Sequence, residues 1–66
     1  MTKKQVVDFF GGTHEHVAIA LGIGASAVQA WPDKLTPLLA DRAMGAAVRT
    51  KGVDAAVKAF PSHTAP

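Results

Sequence analysis

The chain has no cysteine, so it holds no disulfide framework and no thiolate metal site. That suits a reducing compartment, and a cytoplasmic location is expected. No apolar run approaches the roughly 18 residues that a membrane helix needs. The first ten residues, MTKKQVVDFF, lack the layout of a secretion signal. Carboxylates are few, and Asp8, Glu15, Asp33, Asp41 and Asp54 form no pair at helical contact spacing. No nucleophile stands beside a base, and Gly11-Gly12 lacks the glycine and lysine that complete a phosphate loop. No enzyme, cofactor or small-molecule ligand is expected from this inventory. His14-x-His16 invites a metal reading, but residues two apart on a helix point about 200° apart. With Glu15 diverging as well, no metal site is expected.

What is present fits one small domain. Sixty-six residues lie near the lower limit for a self-sufficient core, and small domains without staples often lean on oligomerisation. A formal charge of +2 and a pI near 9.4 permit nucleic-acid binding without demanding it. The pattern predicts five short helices over residues 1–60, then a flexible tail over residues 61–66. Thr2-x-x-Gln5 has capping-box spacing and opens a helix from Lys3 to about Phe10, with Val6, Phe9 and Phe10 on one face. Lys3 and Lys4 crowd its positive end, a penalty that solvent or a phosphate partner would offset.

Thr13 caps a second helix carrying Val17, Ala18 and Leu21. Gly22 supplies the left-handed turn, and Ile23 plugs the corner. A third helix starts near Gly24 or Ala25, burying Val28 and Trp31, before Pro32 stops it. Leu35 should close the core below. Thr36 and Pro37 announce a fourth helix to about Val48 or Arg49, with Leu38, Leu39, Ala43 and Ala47 inward. Val53, Ala56, Val57 and Phe60 mark the apolar face of a fifth, between Gly52 and Pro61. The alternative for residues 37–60 is a β-hairpin, making the fold α+β. The segment carries only four β-branched residues, Val48, Thr50, Val53 and Val57, and its alanines favour helix.

Two short helices joined by a glycine turn, with a small residue where they cross, is the grammar of a helix-turn-helix. The run Val17-Ala18-x-x-Leu21-Gly22-Ile23, followed by Ala27-Val28-x-x-Trp31, resembles that of the phage Cro repressors and related bacterial Cro/YdaS-type proteins. Leu35-Thr36-Pro37, Arg42-Ala43 and Thr50-Lys51-Gly52 are similar to the segment that follows in that family. The resemblance implies an all-α, lambda repressor-like domain that binds double-stranded operator DNA as a homodimer and blocks a promoter. It also implies base contacts from Ala25, Ser26, Gln29 and Ala30. Gln29 can pair bidentately with adenine, and alanine methyls can pack on thymine. This chain departs from the family in having no arginine or lysine on that helix.

Phosphate contacts are expected from Thr13, His14, Gly24, Lys34 and Arg42; Arg49, Lys51 and Lys58 read as a solvated face. Apolar residues beyond the needs of a small core, Met44, Val48, Val53 and Phe60, are the expected dimer interface. Two other roles stay open at this point: a YdaS-type antitoxin or regulator, and a helical module that docks to another protein.

Overall fold

Three threonine hydroxyls start three of the helices. In the computed structural model, which describes residues 1–61, Thr2 opens α1 (Lys3–Phe9), Thr13 opens α2 (His14–Leu21) and Thr36 opens α4 (Pro37–Lys51). Each side-chain oxygen accepts a backbone N–H of the first turn, from Gln5 at 3.2 Å, His16 at 3.2 Å and Leu39 at 3.3 Å. The Gln5 side chain accepts the Thr2 N–H at 2.9 Å and completes the capping box. The short α3 (Ala25–Gln29) and α5 (Val53–Ala59) start without a side-chain cap, from Gly24 and Gly52. The expected order of five helices is observed. Helices α4 and α5 occupy the segment that was the hairpin alternative. Among the described residues the only bridge is the isolated antiparallel pair Thr2–Lys34. Of the tail expected over residues 61–66, residues 62–66 lie outside the described residues.

The core is built from small side chains. Its largest fully buried members are Val6, Val17 and Val28, and α4 contributes Ala40, Ala43, Ala46 and Ala47. Ala56 from α5 joins them, so α4 and α5 meet through methyl groups and their backbones approach closely. Aromatic rings close one side: Phe9 stands edge-on to Phe10 at 5.0 Å and tilted to Phe60 at 5.2 Å.

Several expectations need correction. Phe60 is 3% exposed, so it completes this chain's own core and offers no free face to a second copy. Leu38, expected inward, is 61% exposed; it lies on the far side of α4 from Ala40, Ala43 and Ala47. Helix α4 also runs past Arg49 to Lys51. Its Thr50 hydroxyl donates to the Ala46 carbonyl at 2.8 Å, which keeps a β-branched polar residue compatible with the last turn. Gly52, at φ +91°, then breaks the chain into α5.

The start of the chain is stitched to the stretch after α3. The Lys3 N–H donates to the Asp33 carbonyl at 2.8 Å, and the Leu35 N–H donates to the Met1 carbonyl at 3.2 Å. These bonds fix where α3 ends relative to α1. No helix among the described residues is long and apolar enough to cross a membrane.

Candidate nucleic-acid interface

The turn between α2 and α3 is a complete Schellman motif. Gly22 sits in the left-handed region at φ +72°, its N–H donates to Ile19 O at 3.3 Å, and the Ile23 N–H donates to Ala18 O at 3.0 Å. Val17 and Ala18 of α2 and Val28 of α3 are buried, which locks the two helices together. Burying Val28 turns Ser26, Gln29 and Ala30 to solvent, while Ala25 is half-buried. Three of the four expected base-reading residues therefore share an exposed surface. Ala27 is exposed too, but it faces the cavity beside α4.

Trp31 departs from expectation. Helix α3 ends at Gln29, with Ala30 as its cap, so Trp31 follows the helix instead of continuing its buried face. Its backbone N–H still donates to Val28 O at 3.1 Å, and the side chain packs against the core without being fully buried. Val28 and Leu35 fill the space beneath α3, and the indole lies on the wall of a cavity against α4.

The residues expected near phosphate divide into free and committed groups. Lys34 and Arg42 are exposed, and Gly24 presents the N-terminus of α3. The Thr13 hydroxyl is committed. It accepts the His16 N–H at 3.2 Å and also bonds His16 Nδ1 at 2.8 Å, in a direction set by the imidazole tautomer. His14 is half-buried in a shallow depression that it lines with Lys3, Lys4 and Asp33.

Most other cations cap helix ends from a distance. The last carbonyls of a helix lack intrahelical donors and carry partial negative charge, which suits an ammonium or guanidinium. Lys3 Nζ donates to Gln29 O at 2.9 Å, at the end of α3. Arg49 donates to Ala20 O at 2.9 Å, in the last turn of α2. Lys51 donates to Phe9 O, at the end of α1, with its ammonium 4.7 Å above the Phe9 ring. Lys3 therefore serves α3 rather than burdening α1, and Arg49 and Lys51 are not a merely solvated face. Local sequence carries no signal for such pairs, because each joins residues at least 26 positions apart. Lys4 pairs with Asp8 at 2.8 Å; that hydrogen bond, then charge attraction, holds its ammonium above the usual lysine pKa.

Compared with protein-family models, with curated proteins and with solved structures, the chain matches none of them.

Proposed function

We propose that the chain is a sequence-specific double-stranded-DNA-binding protein of the helix-turn-helix class, with α3 lying in the major groove. The observation that carries this reading is the division of α3. Val28 is wholly buried against α2, while Ser26, Gln29 and Ala30 face solvent on a helix held by a Schellman turn. Gln29 offers a bidentate amide to adenine, Ser26 reaches a base or a phosphate, and Ala30 suits a thymine methyl. Gly24, His14, Lys34 and Arg42 flank that surface as backbone contacts.

In particular, the reading is of a repressor of the phage Cro type, acting in a bacterial cytoplasm by occupying an operator. It rests on the resemblance from Val17 to Gly52 together with the α2–α3 geometry. A helix of five residues reads few base pairs, and a body of 31 × 21 × 16 Å falls short of two half-sites about 34 Å apart. Two copies therefore act together on a roughly palindromic site. Val53, 59% exposed, and the half-buried Met44 and Val48 are the remaining interface candidates, joined by Val57, 40% exposed.

Selection of binding sequences from random duplexes tests the proposal. One related set of sequences should be enriched, and Gln29→Ala should lose about 1–3 kcal/mol of discrimination at one base pair with its fold intact. Enrichment of no sequence overturns the reading. Val53→Asp should shift sedimentation toward monomer and leave only weak half-site binding. Normal dimers of that variant would move the interface elsewhere.

A further inference from the structure

A cavity of about 440 Å³ opens between α4, the end of α2 and the residues after α3. That lies within the range of about 300–1,000 Å³ typical of small-molecule sites. Leu21, Ile23, Leu39 and Trp31 give it an apolar lining. Arg42 and Arg49 stand on its wall, and no carboxylate lines it among the described residues. Arg49 is held in place by its bond to Ala20 O at 2.9 Å, which leaves other guanidinium donors for a ligand.

Gly45 supplies an independent observation. It sits in the middle of the 15-residue α4, without a positive φ. A Cβ added there would meet nothing within 4 Å. Neither backbone conformation nor packing within the chain calls for glycine, and a helix interior favours alanine over it. What glycine provides is room, because Gly45 forms part of the cavity wall.

We propose that this cavity binds a small organic acid, a carboxylate carried on an aromatic or branched aliphatic body. The body packs on Trp31, Leu21 and Leu39, and the carboxylate meets Arg42 and Arg49, whose planar forks match its two oxygens. A DNA phosphate would use the guanidinium of Arg42 but not the apolar lining. The proposal goes beyond the DNA-binding reading, and its test contains no DNA, so either can fail alone.

Trp31 is the only tryptophan and lines the cavity, so its fluorescence reports occupancy directly. The probe is 3-phenylpropionate, with 3-phenylpropanamide as the uncharged counterpart and acetate as the charge without a body. The acid should give a saturable change, with the amide and acetate at least about tenfold weaker, and Arg42→Gln should weaken the acid by about tenfold. Gly45→Leu should fill the space and abolish the response, while its thermal transition stays at or above that of the wild type. No saturable response to the acid, or equal responses to acid and amide, overturns the proposal. So does a folded Gly45→Leu protein that still responds as wild type does. If that variant loses its thermal transition, Arg42→Gln decides, and unchanged affinity there overturns the proposal as well.

Discussion

Trp31 is the largest side chain of the chain, yet the buried interior is made of valines, alanines, Leu35 and the rings of Phe10 and Phe60. Truncating a fully buried tryptophan costs about 3–5 kcal/mol. Trp31→Ala removes a half-buried ring from a cavity wall, so about 1–2 kcal/mol is expected, scaled to the smaller area returned to water. Urea unfolding should show a cooperative transition at lower denaturant, not an unfolded protein. Ala18→Arg is the sharper lesion, although alanine is far smaller. Ala18 is 5% exposed and its carbonyl anchors the turn, so a long cation there must splay α2 from α3. Circular dichroism should show lost stability without any DNA present. Val17, Ala18 and Val28 were legible because periodicity and the glycine turn fix their faces. Trp31 was not, because its burial depends on where α3 ends, and the stitch from Met1 and Lys3 to residues 33–35 lies close to that point. The same logic covers the base-reading candidates: Ser26, Gln29 and Ala30 follow from the burial of Val28, whereas half-buried Ala25 does not.

Among the elements, the starts were more legible than the ends. Thr2, Thr13 and Thr36 cap α1, α2 and α4 through local bonds, and such bonds are written in four consecutive residues. Helix α4 runs two residues beyond the expected Arg49 because Thr50, a β-branched polar residue that disfavours a helix interior, bonds back to Ala46. Leu38 was misplaced for a related reason: an alanine stripe is a weak marker of phase, and the larger leucine drew the apolar face toward itself. Two glycines separate need from tolerance. Gly22→Ala forces a Cβ into the left-handed region and should cost about 1–2 kcal/mol, read as a lower thermal midpoint. Gly45→Ala meets open space and an ordinary helical backbone, so it should gain about 0.5–1 kcal/mol. A fall in stability for the second variant would mean that α4 is more crowded there than its geometry shows.

At the scale of the whole molecule, a formal charge of +2 overstates the free positive surface. Lys3, Arg49 and Lys51 serve helix ends and Lys4 faces Asp8, which leaves Lys34, Arg42 and Lys58 as the exposed cations without such duties. Each phosphate neutralised adds about −0.9 to the slope of log K against log salt. Titration of a selected duplex should therefore give a shallow slope, about −2 to −3 per subunit if these three cations each meet one phosphate. A much steeper slope would mean that the capping cations let go of their carbonyls on DNA. The Lys4–Asp8 pair is too exposed to govern acid stability. Because the ammonium pKa is raised, its small contribution is present below the ordinary lysine range and is lost only as strongly alkaline pH removes the proton. The two carbonyl-bound lysines also leave a chemical signature. An acylating reagent attacks a free amine, so lysines whose ammonium is tied to a backbone oxygen should react last. Brief acetylation of the folded protein, read by peptide mass spectrometry, should label Lys34 and Lys58 first and Lys3 and Lys51 slowest. Mild urea should erase that ranking, since the reagent would then meet a chain whose third and fifty-first residues no longer hold the ends of α3 and α1.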